Sequence, residues 1–173
     1  MAIYNILKWP DQKLRTVATT VDNFNEDIHL ISQNLLETMY KAHGIGLAAT
    51  QCNIHKRIIV IDCSEDKTNP KILINPSIIS QEGSETMEEG CLSLPSIREE
   101  VTRAEKITIK YQNLNGEFIE EKFNELEAVC IQHEIDHLNG KVFTDHISKI
   151  KAQRARKKLE KMQRLEEKIQ QRK

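Results

Sequence analysis

Two segments of the chain carry apolar residues at helical spacing, and Asn25–Gly44 is the first of them. Apolar side chains recur there every three or four residues, which predicts a helix with one face in the core. Gly44 is the expected C-terminal cap of this helix. The apolar positions are Ile28, Ile31, Leu35, Leu36, Met39 and Ala42.

The second helical segment is Asn124–Gly140. Asn124 suits the N-cap position, Glu127 three residues later is typical of a capping box, and Gly140 is the expected stop. Two apolar stripes run along the segment, so we expect this helix to be buried on two sides. One stripe is Leu126, Val129, Cys130, His133 and His137, and the other is Ile131, Ile135 and Leu138.

Other segments have the pattern of strands. Arg57–Cys63 and Lys71–Ser80 are short, rich in β-branched residues and bounded by turn formers. Lys106–Phe123 alternates apolar and polar residues on either side of Asn115-Gly116, which predicts a hairpin. We therefore expect an α+β fold, with antiparallel strands and a hairpin around a buried central helix that carries H-E-x-x-H, and a basic C-terminal helix.

Composition narrows the class of protein. At 173 residues the chain is long enough for one domain with a hydrophobic core. Its four cysteines form no C-x-x-C pair, which argues against a disulfide framework and indicates a reducing compartment. No apolar run reaches the roughly 18 residues of a membrane span, and the N terminus lacks the apolar core of a signal peptide. We expect a cytoplasmic protein without a membrane partner.

The net charge of −1 hides two regions of opposite sign. Residues 149–173 hold eleven Lys/Arg and three Glu, a net charge of +8, which leaves −9 for residues 1–148. We expect a main domain over 1–148 and a basic helical extension over 149–173. Such a helix is most often simply solvated, but it can also bind a polyanion such as nucleic acid.

Gln132–Gly140 contains the pattern H-E-x-x-H. Residues i and i+4 of a helix lie one turn apart, so His133 and His137 can direct their imidazoles at one cation. Glu134 stands beside this row and suits the general base for a bound water. The alternative is a pair of core histidines beside a surface glutamate. Burial on two sides weakens that alternative, because unpaired histidines would need other polar partners.

A catalytic metal site of this kind normally needs a third protein ligand. Cys130 lies about 10 Å along the helix from His137, so it fits a cavity wall better than a ligand. Phe143 replaces the last histidine of the metzincin pattern, and Glu160 lies in a charged, solvated helical segment. The remaining candidate is Cys91 in Glu88–Pro95, whose thiolate would suit zinc or ferrous iron. An ordinary buried cysteine is the alternative.

Gly44–Gln51, with the sequence GIGLAATQ, matches the dinucleotide fingerprint G-x-G-x-x-A. Its glycines follow a predicted helix and not a strand, which excludes that interpretation. They are better suited to a sharp bend where another part of the backbone comes close. Gln51 is then either a turn residue or a positioned amide donor.

Together, GIGLAATQ (Gly44–Gln51), EGCLS (Glu89–Ser93) and QHEIDHLNG (Gln132–Gly140) resemble the three motifs of the peptide deformylase family. The three are highly specific jointly, and the resemblance extends over residues 1–150. It implies removal of the N-formyl group from formyl-methionyl nascent peptides by metal-activated water, with release of formate. Residues 1–148 would then be a catalytic metallohydrolase domain.

The resemblance also implies a ligand set and catalytic roles. Cys91, His133 and His137 would hold one divalent metal, Fe2+ in the cell, which Zn2+, Ni2+ or Co2+ can replace. Glu134 would take a proton from the attacking water and pass it to the leaving amine. The side-chain amide of Gln51 and the backbone N–H of Leu92 would stabilise the oxyanion.

Further positions resemble those that surround the substrate in this family. Glu89 and Gly46 would contact the peptide through backbone groups, and Arg98 would lie at the mouth of the site. Asp136 needs a cation if it is buried, and Arg103 is the candidate. The expected substrate-binding residues are Ile45, Gly46, Met87, Glu89, Arg98, Leu126, Val129 and Cys130.

Two other functions use the same features. A zinc metallopeptidase would also use His133, Glu134 and His137, and it would cleave internal peptide bonds. A ribosome- or RNA-binding protein could hold a purely structural metal and use the basic tail. The resemblance allows deformylation and ribosome binding in one protein, because a basic C-terminal helix in this family can dock on the ribosome.

Overall fold

The structure is a computed structural model that describes residues Met1–Lys173. It contains three α-helices and seven strands. The helices are α1 (Glu26–Lys41), α2 (Glu125–Leu138) and α3 (Lys149–Gln171). The strands are β1 (Gly46–Ala48), β2 (Ile58–Ile61), β3 (Lys71–Glu82), β4 (Glu85–Cys91), β5 (Leu94–Arg103), β6 (Lys106–Gln112) and β7 (Phe118–Asn124).

The strands form two antiparallel sheets, in agreement with the expected mixture of helices and antiparallel strands. One sheet has five strands in the order β1-β2-β3-β6-β7, and the other is the two-stranded hairpin β4-β5. The predicted hairpin around Asn115-Gly116 is the β6-β7 pair, with Gly116 at a φ of +79° in the connection. The β4-β5 hairpin is an element that the sequence pattern did not predict.

The five-stranded sheet is covered by helices on both faces. In β2, Ile59 and Ile61 belong to the apolar cluster that includes residues of α2. Their neighbours Ile58 and Val60 point the other way, into the cluster that includes residues of α1. A strand that is apolar on both sides is typical of this arrangement, because successive side chains alternate between faces. The sheet therefore holds α2 in a fixed place.

The end of α1 differs from the prediction. The helix ends at Lys41, and His43, not Gly44, takes the left-handed conformation with a φ of +59°. The N–H of Gly44 donates to the carbonyl of Met39 at 2.9 Å, which closes the last turn. Gly44 thus follows the left-handed residue His43 by one position and the C-cap Ala42 by two.

The start of α2 also corrects one prediction. Asn124 is the N-cap as expected, but its side chain makes no capping hydrogen bond. Glu127 forms an ion pair with Lys71 at 2.8 Å, so the predicted capping box is wrong. At the other end, Gly140 takes a φ of +73° directly after the C-cap Asn139, as expected of a helix stop.

The first half of α3 packs on the rest of the molecule, because Ala155 and Leu159 are buried with Val101 and Phe143. Most of the residues after Leu159 are exposed. Neither α3 nor any other helix is sufficiently long and apolar to cross a bilayer.

We predict that Gly140→Ala destabilises the protein. The substitution is strained because of the positive φ, and the added Cβ would overlap the carbonyl oxygen of Arg15. We expect the free energy of unfolding in urea to fall by more than about 1 kcal/mol. Gly90→Ala is the control, since its Cβ would be in ordinary contact at 3.6 Å from the guanidinium of Arg98. Equal losses in the two variants would contradict the explanation.

Candidate active site

Three potential metal ligands converge where β4 ends beside α2. His133 and His137 lie one turn apart on α2, and their Nε2 atoms are 3.2 Å apart. The Sγ of Cys91 is 3.3 Å from Nε2 of His137. The three donor atoms lie within 4.8 Å of one another. Cys91 is the last residue of β4, where the pairing with β5 shifts register after Gly90. It is delivered by a strand end and not by a free loop.

This donor set fits a metal ion. Ligands about 2.0–2.3 Å from a tetrahedral zinc or similar ion lie roughly 3.3–3.8 Å from one another, close to the separations at His137. Burial and the nearby positive charge of Arg103 hold the pKa of His137 well below its usual value, so its imidazole is neutral. A neutral imidazole has the free lone pair that a metal requires.

Glu89 fixes the orientation of His133. Its carboxylate accepts a hydrogen bond from Nδ1 of His133 at 2.8 Å, which leaves Nε2 of this ring for a metal. Arg103 donates to the same carboxylate from Nε at 2.6 Å and from the terminal nitrogen at 3.0 Å. Burial opposes the ionised form, but these hydrogen bonds hold the pKa of Glu89 below its usual value. Glu89 therefore carries a negative charge behind the ring.

The network extends through Arg103 to the surface. The other terminal nitrogen of Arg103 is 2.8 Å from the carboxylate of Asp136, which confirms the predicted pair. Asp136 also lies 2.8 Å from Nε2 of His146, a residue that sequence reasoning did not include. Sequence reasoning also missed the side-chain contact between Glu89 and His133. The spacing of Glu89 and Cys91 could have predicted it, because residues two apart in a strand share a face.

Glu134 lies next to the donor set on α2 and is 4% exposed. Burial raises the pKa of its carboxyl to about 7, although the positive charge of Arg103 opposes this. Its Oε2 has no hydrogen-bond partner within the protein. Glu134 also lines the adjoining cavity. An unpaired carboxyl at such a place is free to exchange a proton with a ligand or water.

Gln51 is held rigidly beside Cys91. Its Oε1 accepts from the N–H of Ala48 at 2.9 Å, and its Nε2 donates to the hydroxyl of Ser93 at 3.1 Å. Nε2 also lies 3.5 Å from Sγ of Cys91. Leu92 follows Cys91 in the turn, and its carbonyl accepts from Nζ of Lys8 at 2.9 Å. The predicted Gln51 and Leu92 therefore adjoin the donor set.

An open cavity of about 580 Å³ adjoins the donor set. Cys91, His133 and Glu134 form part of its wall. All the predicted substrate-binding residues line it, namely Ile45, Gly46, Met87, Glu89, Arg98, Leu126, Val129 and Cys130.

Two of these cavity residues are exposed and not buried. Leu126 is 42% exposed and Ile45 is 38% exposed, so both lie at the rim. The expectation that the whole first stripe of α2 is buried is wrong at Leu126. Arg98 lies at the rim too, with a side chain that is 67% exposed.

Gly46 closes the inner end of the cavity. A Cβ at this residue would lie 2.7 Å from Sγ of Cys130 and 2.7 Å from a carboxylate oxygen of Glu134. Glycine therefore avoids a displacement of these side chains where β1 passes α2. The close approach predicted for GIGLAATQ is made here by side chains and not by backbone. Cys130 is not in the donor set, and its Sγ is 3.7 Å from the carbonyl oxygen of Ile45.

Comparison with known proteins identifies the family. The polypeptide deformylase family model matches residues 3–153. The chain belongs to the peptide deformylase family. The peptide deformylase of Nitrosococcus oceani is 53% identical over 95% of this chain and 99% of that protein. That of Pseudoalteromonas translucida is 51% identical over 93% of this chain and 96% of that protein.

Solved structures agree with this assignment. The crystal structure of a peptide deformylase from Legionella pneumophila superimposes with a TM-score of 0.91 at 44% identity, over 95% of this chain and 98% of that chain. Peptide deformylases are metal-dependent hydrolases that remove the N-formyl group from nascent peptides. A divalent metal therefore belongs to this enzyme, and the cluster of Cys91, His133 and His137 is suited to hold it.

We predict that Glu89→Gln weakens metal binding. A neutral amide cannot match the carboxylate behind His133, and loss of such a partner typically lowers metal affinity about 10–100-fold. Competition with a chelator, followed by metal analysis, measures the change. Glu88→Gln is the matched control, because Glu88 is 62% exposed and lies 3.9 Å from Arg98 at the surface. Unchanged metal retention in Glu89→Gln would contradict this role.

Proposed function

We propose that this chain deformylates formyl-methionyl nascent peptides with Cys91, His133 and His137 as ligands to one ferrous ion. The convergence of one thiol and two imidazoles beside an apolar cavity carries this proposal. A histidine and cysteine donor set suits both ferrous iron and zinc, and the family resemblance favours iron. When bound, such an ion lowers the pKa of water and polarises a carbonyl oxygen.

Glu134 is the proposed general base and acid. It takes a proton from the water that attacks the formyl carbon and then gives the proton to the amine that leaves. A carboxyl whose pKa burial raises to about 7 is suited to both steps near neutral pH. A cation beside it would favour its ionised form and so its action as a base.

Gln51 and Leu92 are the proposed oxyanion donors. The hydrogen bonds to Ala48 and Ser93 hold the Gln51 amide in place before substrate binds. The N–H of Leu92 would supply a second donor from the turn after Cys91. Each donor of this kind is typically worth about 10²–10³ in rate, because it stabilises charge that develops only in the transition state.

The cavity is the proposed site for the methionine side chain and the following peptide. Val129, Cys130 and Met87 would form apolar walls, and Ile45 and Leu126 the rim. Gly46 and Glu89 would bind the peptide through backbone groups, and Arg98 would meet it further along. An apolar slot discriminates by only about 1–3 kcal/mol per methylene, so the preference for methionine should be incomplete.

We predict that Glu134→Gln retains its metal but loses activity. Loss of a general acid–base group typically costs about 10²–10⁴ in rate, whereas the donor atoms of Cys91, His133 and His137 remain. The measurements are metal content after anaerobic purification, where we expect iron, and formate release from a formyl-methionyl peptide.

Glu127→Gln is the control for the same change on the same helix, because Glu127 pairs with Lys71 away from the donor set. A metal-loaded, fully active Glu134→Gln would refute the role of this residue. Cleavage of internal peptide bonds without formate release would instead favour a zinc metallopeptidase.

We further propose two functional regions, a catalytic one at 1–148 and a ribosome-binding one at 149–173, in a cytoplasmic enzyme. The net charge of +8 in 149–173 supports an rRNA partner. Deletion of the whole extension would expose the core around Ala155 and Leu159, so it is a poor test. Charge changes on the exposed face are a better one.

We predict that replacing Lys157, Lys161, Arg164 and Lys168 with Gln weakens ribosome association. All four are exposed on α3, and each lost phosphate contact should reduce the slope of log affinity against log salt by about 0.7–0.9. Co-sedimentation at several salt concentrations measures this, and deformylation of short peptides should not change. The control replaces Lys41, Lys56, Lys106 and Lys122, which are also exposed. Equal weakening by both sets would argue against α3 as the binding surface.

A further inference from the structure

Two thiols outside the metal-ligand set meet between β2 and α2. Ile59 and Ile61 of β2 face α2, and Cys63 lies two residues after the end of this strand. Cys63 packs against the cluster to which Cys130 of α2 belongs. Each thiol shifts the pKa of the other, which is the effect of close neighbours. Both cysteines are free.

Backbone contacts keep the two thiols together. The carbonyl of Ile45 accepts a hydrogen bond from the N–H of Asp62 at 2.8 Å, and Sγ of Cys130 lies 3.7 Å from the same oxygen. Cys63 directly follows Asp62. One turn before Cys130, Glu127 forms an ion pair with Lys71, which stands opposite Ile61 in the sheet. The segment before Cys63 and the Cys130 side chain thus meet at the carbonyl of Ile45, and α2 is also tied to the neighbouring strand β3.

The two thiols differ in access and acidity. Cys63 is partly exposed, whereas Cys130 is only 6% exposed. The interaction with Cys130 lowers the pKa of Cys63, while the same interaction and burial raise the pKa of Cys130. An accessible, more acidic thiol beside a buried second thiol is the usual arrangement at cysteines that oxidise reversibly.

We propose that Cys63 and Cys130 form a reversible disulfide when the enzyme meets a hydroperoxide. The Cys63 thiolate attacks the O–O bond, which gives a sulfenic acid at Cys63 and reduces the peroxide. The Cys130 sulfur then displaces the hydroxyl group as water, and its proton leaves with it. In total, two thiols and one hydrogen peroxide give one disulfide and two waters.

This disulfide would change the cavity. Cys130 lines the cavity, and its sulfur adjoins the space above Gly46 where Glu134 also lies. A bond to Cys63 would draw this sulfur toward β2 and alter the cavity wall beside Glu134. Oxidation should therefore lower deformylation, and a dithiol reductant should restore it. This consequence rests on the proposed function, whereas the cross-link itself does not.

Zinc-loaded enzyme is suited to the test, because zinc has no redox chemistry of its own. The enzyme is treated with hydrogen peroxide, free thiols are alkylated after denaturation, and peptides are identified by mass spectrometry. We expect a Cys63–Cys130 cross-linked peptide that disappears after dithiothreitol. Cys52 is the internal reference that should remain a free thiol, since burial raises its pKa to about 12. Oxidation of Cys63 without linkage to Cys130 would overturn the proposal.

Cys63→Ser separates this disulfide from damage at Cys91. Cys63 lies outside the proposed catalytic and binding residues, so the untreated variant should release formate at the native rate. After peroxide, it should lack the loss of activity that dithiothreitol restores in the native enzyme. An equal, dithiothreitol-reversible loss in Cys63→Ser would overturn the effect on activity. Failure of the proposed function would instead appear as no formate release before oxidation.

Discussion

The shared carboxylate of Glu89 is the contact on which the site depends. It joins His133 of α2 to Arg103 of β5, while Glu89 itself lies on β4. Arg103 and Glu89 are both almost fully buried, so each charge requires the other. The contacts of this pair with His133 and Asp136 then hold the β4-β5 hairpin against α2. Cys91 ends the same strand as Glu89, so one buried ion pair both orients an imidazole and positions the thiol.

Rigid elements supply every donor atom. The five-stranded sheet packs on α2, which carries both histidines and Glu134. Hydrogen bonds to its neighbours fix Gln51, so its amide loses little conformational entropy when a ligand binds. Only the substrate and protons therefore have to move during the reaction. Electrostatic stabilisation by fixed groups of this kind is the usual source of enzymatic rate enhancement.

Periodicity predicted α1, α2, β2, β3 and the β6-β7 hairpin because their buried faces are continuous. It missed β4 and β5, since Glu85–Cys91 is largely polar and only Glu89 in it is buried. The predicted capping box is absent because the Glu127 carboxylate pairs with Lys71 of the sheet and not with the start of its own helix. In the site, i,i+4 spacing predicted the two histidines directly. Cys91 needed the combination of three motifs. The contact of Arg103 with Glu89 and the role of His146 depend on tertiary structure that spacing does not reveal.

The crowding at Gly46 restricts how the cavity can change in evolution. Any side chain there would strike Cys130 and Glu134, so the inner wall has no room for variation at this position. Ile45 and Leu126 are partly exposed, and substitutions there face far less steric resistance. Adaptation to other peptide sequences would therefore proceed from the outer edge inward. The residue next to the chemistry would stay constant while its surroundings diversify.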